Sequence, residues 1–204
     1  GYEAGTGGSG DMDSCVVIGS NAMNSTAANN ASGIVAIGKD ALTALTSGAF
    51  NTAIGYLCLD GTDDGSYNTA VGYSALSANC GSGNTAMGYQ AAVTITGSDN
   101  TCFGLQAGDA IVTGTNNICI GSTADVSDEA AVNRTALGYG VTNGLDNSVV
   151  LGNADVTDVY MASDKGAKVH CSAIDVEGDT GGAGYQNVKN LVSNTGVIAS
   201  DVTG

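Results

Sequence analysis

Three carboxylates, Asp60, Asp63 and Asp64, fall within one turn, and oxygen donors so close in sequence are the ligands that Ca²⁺ takes. The residues around them follow neither the calcium-binding nonapeptide of secreted β-rolls nor the EF-hand spacing, so a solvated turn is the simpler reading and Ca²⁺ is a weak candidate. None of the six cysteines forms a Cys-x-x-Cys pair, which leaves zinc-knuckle and thioredoxin-like chemistry without support. Cys102 and Cys119 hold the same place in successive repeats, within disulfide reach by distance, with the direction of their side chains open. His170, the single histidine, stands in Lys168-Val169-His170-Cys171 without a nucleophile motif beside it, and reads as an ordinary strand residue. Gly5-Thr6-Gly7-Gly8-Ser9-Gly10 is not followed by Lys-Ser/Thr, so it is no phosphate-binding loop and reads as part of a flexible segment, 1–11. No catalytic residue is assigned and no enzyme is expected.

Composition narrows the classes further. Twenty acidic against five basic residues give a net charge of −15, which repels nucleic-acid phosphates and anionic membranes. No apolar run approaches the length of a bilayer span, and the opening Gly1-Tyr2-Glu3-Ala4 lacks a signal-peptide pattern. Neither nucleic-acid binding nor membrane insertion is expected. Proline is absent, only two Phe are present, and 32 of 204 residues are Gly. The core must therefore come from Val, Ile, Leu, Ala and Thr.

The elements that would carry any chemistry are announced by a repeat. A short apolar tetrapeptide ending in Gly recurs nine times: Val16–Gly19, Val35–Gly38, Thr52–Gly55, Thr69–Gly72, Thr85–Gly88, Thr101–Gly104, Ile118–Gly121, Thr135–Gly138 and Val149–Gly152, its glycines 19, 17, 17, 16, 16, 17, 17 and 14 residues apart. Asn stands just before it at Asn51, Asn68, Asn84, Asn100 and Asn117, with Asn147 close before the last copy. A small residue follows three after the Gly, at Ala22, Ala41, Cys58, Ala75, Ala91, Ala107 and Ala124, often with Leu next. Apolar runs this short, bounded by Gly, fit strands rather than helices.

Each unit therefore reads as two short strands and two turns, unable to bury an apolar face alone. Stacked about 4.8 Å apart, such units make a β-solenoid. Glycines 38, 55, 72, 88, 104, 121 and 138 read as turn glycines at sharp corners. The Asn column reads as a side-chain ladder serving turn backbone groups. Successive strand residues face opposite ways. The expectation places the bulky column, Ile37, Ile54, Val71, Met87, Phe103, Ile120 and Leu137, in the core. It leaves the small column, Ala36, Ala53, Ala70, Ala86, Cys102, Cys119 and Ala136, outside as a self-association face.

Val35-Ala36-Ile37-Gly38, Asn51-Thr52-Ala53-Ile54-Gly55-Tyr56 and Asn68-Thr69-Ala70-Val71-Gly72-Tyr73-Ser74-Ala75-Leu76 resemble the head repeats of trimeric autotransporter adhesins and the repeat shafts of phage and viral tail fibres. The resemblance covers roughly residues 12 to 160. It implies a homotrimer of β-rolls that acts as a spacer or adhesive element on a cell-surface or virion appendage, facing a cell-surface or glycan receptor. The period departs from the family, whose heads repeat nearer ~14 residues, as only the last interval here does.

The expected organisation is thus all-β: a flexible 1–11, a β-solenoid (β-roll) of about nine 16–17-residue coils with parallel sheets over 12–152, and a small non-repeat β-rich region over 153–204 for capping, trimerisation or docking. The expected role is a structural fibre or adhesin rod in an extracellular setting. Two alternatives remain open. One is an ice- or surface-binding solenoid, from the Thr column at Thr52, Thr69, Thr85, Thr101 and Thr135; the other is a glycan-depolymerising fibre enzyme using Asp60, Asp63, Asp64 or Asp99.

Overall fold

The structure, a computed structural model, describes residues 1–6, 13–24, 31–157 and 159. Contacts divide the chain into Gly1–Val159 and Tyr160–Gly204, and the description concerns the first of these. The expected non-repeat region over 153–204, with His170, lies outside the described residues apart from 153–157 and 159.

Regular structure among the described residues is all β, with no helix. Eleven strands follow in order: β1 (Val16–Ile18), β2 (Val35–Ile37), β3 (Thr52–Ile54), β4 (Thr69–Val71), β5 (Thr85–Met87), β6 (Thr101–Phe103), β7 (Ile118–Ile120), β8 (Asp125–Val126), β9 (Arg134–Leu137), β10 (Thr142–Asn143) and β11 (Ser148–Leu151). Nine of them build one parallel sheet in the order β1-β2-β3-β4-β5-β6-β7-β9-β11, and β8 pairs with β10. The register sets tetrapeptide on tetrapeptide, Ala53 opposite Ala70 and Ala70 opposite Ala86. The chain is a β-solenoid with eight turns between its nine main strands, as the glycine spacing implies.

The strands from β3 to β7 are short because both of their ends are fixed by a column of the repeat, whereas β1 and β2 follow Cys15 and Ile34. At the start, the buried Asn side chains run from coil to coil. The amides of Asn68, Asn84, Asn100, Asn117 and Arg134 donate to the Oδ1 of Asn51, Asn68, Asn84, Asn100 and Asn117, at 2.8–3.0 Å. The Nδ2 groups of Asn51, Asn68, Asn84, Asn100 and Asn117 donate to the carbonyls of Gly65, Gly81, Gly97, Gly114 and Ala131. The ladder expected from the sequence is present from Asn51 to Asn117, while Asn147 is exposed and lies outside it. At the other end, Gly72 has φ 139, and a Cβ on it would meet the carbonyl oxygen of Gly88 at 2.2 Å. That approach of backbone to backbone is closed to any other residue.

The second strand expected in each unit does not form in most coils. Asp40 and Leu42 (φ 58 and 53), Leu57 and Leu59 (φ 52 and 54), and Ser74 and Leu76 (φ 50 and 51) take left-handed conformations instead. The backbone there curls, and hydrogen bonds still run between coils, from Leu42 N–H to the Cys58 carbonyl (3.0 Å) and from Leu59 N–H to the Ala75 carbonyl (3.0 Å). These bonds, with burial of the leucines, offset a conformational penalty of roughly 1–2 kcal/mol per left-handed residue.

The inside and outside of the sheet are exchanged relative to the expectation. Ala36, Ala53, Ala70, Ala86, Cys102, Cys119 and Ala136 are 0% exposed and form the strand side of the core, so they are no self-association face. Ile37, Ile54, Val71, Met87, Phe103, Ile120 and Leu137 point outward and are no core column. The reason is volume. The curled side of each coil sends Leu42, Leu45, Leu59, Leu76, Ile95 and Ile111 fully inside, and a coil of 16–17 residues encloses too little space for a second bulky layer. The small column three after the Gly, Ala41 to Ala124, is buried as well.

The N-terminal expectation also changes in part. Within 1–6, the Tyr2 carbonyl accepts from Asn21 N–H at 2.8 Å and Gly5 N–H donates to the Ala22 carbonyl at 2.9 Å. This stretch packs on the first coil by the same backbone bonds that join the coils.

Candidate functional site

The outer face of the nine-stranded sheet is built by two columns. The first strand position gives Val16, Val35, Thr52, Thr69, Thr85, Thr101, Ile118, Thr135 and Val149; the third gives Ile18, Ile37, Ile54, Val71, Met87, Phe103, Ile120, Leu137 and Leu151. No charged residue occurs in either column. Exposure in the second column reaches 47% at Phe103 and 56% at Ile18. With neighbouring strands about 4.8 Å apart, eight intervals make this uncharged strip about 38 Å long. Five of the nine first-column residues are Thr, so the strip sets a hydroxyl-bearing column beside an apolar one.

Aromatic rings border the strip at both ends of the strands. Past the glycines, Tyr56, Tyr73 and Tyr89 stack with centroids 5.4 and 5.1 Å apart, and the Lys39 ammonium lies 5.2 Å from the Tyr56 centroid. Before the asparagines, Phe50 stacks on Tyr67 at 5.3 Å. The stacked tyrosines remain 40–49% exposed.

The acidic candidates are placed differently from a metal site or a paired catalytic site. Asp60 is half-buried, with Oδ1 shielded from solvent and without a hydrogen-bond partner, and burial, followed by the charge of Asp40, raises its pKa. Asp63 is tied by its backbone, its carbonyl accepting from Thr46 and Ser47 N–H and its N–H donating to Asn79 Oδ1. Asp64 is exposed. Among the described residues no group of three or more His, Cys, Asp or Glu side chains is placed to hold a metal ion. Asp99, also exposed, has a left-handed φ of 60 and donates its N–H to the Ser82 carbonyl.

One acidic pair escaped the sequence reading. Asp125 on β8 accepts from Ala110 N–H (3.0 Å) and Val126 N–H (2.8 Å), beside the Asp109 carboxyl. Burial, and then the neighbouring Asp109, push its pKa up to about 7. Its position, four after the tetrapeptide Gly, holds Leu42, Leu59 and Leu76 in earlier coils. A carboxylate in an otherwise inward column was the available signal. The neighbouring Asp109 carboxyl adds to burial in disfavouring the charged form of Asp125.

The asparagine ladder ends at Arg134, which takes the next ladder position after Asn117. Its guanidinium is buried to 6% exposure, donates to Asp146 Oδ1 at 2.6 Å and reaches the Asn143 carbonyl. Arg134 thus closes the Asn ladder where the coil shortens to 14 residues between Gly138 and Gly152. No protein-family profile, curated protein or solved structure matches the chain.

Proposed function

We propose that the chain is a structural, non-enzymatic fibre element, in which the solenoid serves as a spacer or surface-binding rod of an extracellular or virion appendage and self-associates through the outer face of its sheet. The observation that carries the reading is the uncharged strip from Val16 to Leu151, with its exposed apolar column from Ile18 to Leu151. In a chain of net charge −15, contact between copies meets least repulsion where no charge stands, and this face offers the area. The tail-fibre and adhesin-head resemblance of the repeats gives the copy number, three, and the setting. The self-association face is therefore the column Ile37, Ile54, Val71, Met87, Phe103, Ile120 and Leu137.

Sedimentation velocity or light scattering tests it. The full chain is expected at the mass of three 19.9 kDa protomers, with association strengthened by salt as repulsion is screened. Val71→Arg and Met87→Arg are expected to leave the circular dichroism unchanged and to reduce the mass to one chain. A single-chain mass for the unmodified protein at tens of micromolar would overturn the reading.

A second reading is favoured by one observation. The outward Thr52, Thr69, Thr85 and Thr101 form a regular column at about 4.8 Å intervals, the pattern of a flat ordered surface such as ice. The neighbouring column varies from Val71 to Phe103 and is less flat. Thermal hysteresis in the full chain, lost in Thr85→Tyr with the assembly intact, would promote this reading over the first.

A further inference from the structure

Cys102 and Cys119 are the middle residues of β6 and β7 and stand directly opposite each other in register. Both point inward and both are 0% exposed. Hydrogen-bonded parallel strands hold opposed Cα atoms about 4.8 Å apart, inside the range of roughly 4.4–6.8 Å that a disulfide spans. The core is also shaped around these sulfurs. The residue four after the tetrapeptide Gly is Leu42, Leu59 and Leu76, then Ala92, then Gly108. A Cβ on Gly108 would lie 2.4 Å from Cys102 Sγ. As the strand side grows from Ala to Cys, the opposing side shrinks from Leu to Gly.

The other described thiols have no such partner. Cys58 lies in its column between Ala41 and Ala75, Cys80 Sγ contacts Thr62 Oγ1 at 3.1 Å, and Cys15 Sγ donates to the Ala31 carbonyl at 3.3 Å. Among the described residues only Cys102 and Cys119 are matched cysteine to cysteine.

We propose that Cys102 and Cys119 are an oxidisable pair that closes into a disulfide staple between adjacent coils. With a small-molecule disulfide as oxidant, the Cys102 thiolate attacks one of its sulfurs and expels a first thiolate. The Cys119 thiolate then attacks Cys102 Sγ in the mixed disulfide and expels a second. Two protein thiols become one S–S bond, the oxidant's S–S bond is reduced, and the two protons leave on the two small thiols. Contact with Cys119, and then burial, raises the Cys102 thiol well above its ordinary value, so Cys102 is unreactive in the closed coil. Exchange therefore takes place while the chain folds or while coils six and seven open.

The test uses the full chain, unfolded and refolded in a millimolar oxidised and reduced glutathione mixture, then alkylated and cleaved at aspartate. Asp109 lies between the two cysteines, so the staple joins two peptides, lighter by two hydrogens than the free pair. The oxidised chain is expected to melt about 10 °C above the chain kept in reductant. Cys119→Ala restores the residue that the column holds at 86 and 136; Cys102→Ala does the same for the other member. Both are expected to fold and to lose the redox-dependent shift. Alkylation of both thiols after oxidation, linkage of Cys102 to another cysteine, an oxidised form that melts no higher than the reduced one, or a shift that persists in both variants would overturn the proposal.

Discussion

Replacing Asn84 by alanine removes one rung from the middle of the buried ladder, and the consequences can be counted bond by bond. Asn84 Oδ1 accepts from the Asn100 backbone N–H at 3.0 Å and from Asn100 Nδ2 at 3.2 Å. Its Nδ2 donates to the Gly97 carbonyl at 2.9 Å and to the Gly81 carbonyl at 3.3 Å, and the latter keeps Asn68 Nδ2 when Asn84 is lost. In Asn84→Ala the Gly97 carbonyl keeps the N–H of Gly81, and the Asn100 Nδ2 keeps Ser98 and Gly114. Only the Asn100 N–H is orphaned inside the core. One buried unsatisfied donor is worth about 1–3 kcal/mol and one lost neutral hydrogen bond about 1 kcal/mol. The expected destabilisation is about 2–4 kcal/mol, or roughly 5–15 °C in Tm for a chain of this size. Asn84→Asp separates the two halves of the argument. Its Oδ1 still serves Asn100 N–H, while its second oxygen faces the Gly97 carbonyl and repels it unless protonated. This variant should be at least as unstable as the alanine at pH 7 and recover towards pH 4, because the protonated acid again donates to Gly97. Urea unfolding followed by circular dichroism at the two pH values gives both quantities. An alanine variant within about 0.5 kcal/mol of the parent, or an aspartate variant with no recovery in acid, would refute the ladder as a source of stability.

Ala70→Arg should abolish the β signal in circular dichroism, since an unpaired charge inside the coil is worth several kcal/mol against folding. A folded Ala70→Arg would return the small column to the outside. Gly72→Ala should lower stability by at least about 2 kcal/mol, since its Cβ meets the Gly88 carbonyl oxygen at 2.2 Å and its φ of 139 is closed to alanine. A denaturation midpoint equal to the parent's would contradict the close approach. Asp125, raised to about 7, binds its proton more tightly folded than unfolded. Its stabilising proton is fully present below about pH 4 and is lost as pH rises through about 7. Urea midpoints should therefore fall more between pH 5 and pH 8 in the parent than in Asp125→Asn, and equal slopes would count against the Asp109 pairing.

The repeat made the fold legible because its columns are one-dimensional: each Gly, Asn and small residue recurs at a spacing that only stacking explains. The Asn ladder could be read because a short amide side chain between a turn and a strand serves either backbone equally well. The sidedness of the sheet could not be read from the strand alone. Ala70 and Val71 obey the same alternation whichever way the strand faces, and bulk usually decides. Here the deciding residues were Leu42, Leu59 and Leu76, which a reading of alternation assigns to a second strand. Their left-handed backbone turns them inward, and they fill the coil before the strand contributes. Asp125 was missed for a related reason: in its coil the backbone is extended at β8, so Val126 turns inward and Asp125 is left half-buried beside Asp109.

The two coil lengths have a location. Between the inward leucine and the glycine whose carbonyl a ladder asparagine bonds, one coil has five residues, 60–64 before Gly65, and the next has four, 77–80 before Gly81, while the strands they flank remain in register. The slack lies on the side of the coil away from the sheet. Gains and losses of single residues can accumulate there, Asp63-Asp64 among them, without moving a rung of the ladder or a residue of the outer strip. A change of one whole coil is equally harmless to its neighbours, because the coil above offers the same glycine carbonyl and the same asparagine as the one removed. The molecule therefore varies along its axis in whole steps of about 4.8 Å and across its far side by single residues, and neither change moves the outward columns of its sheet.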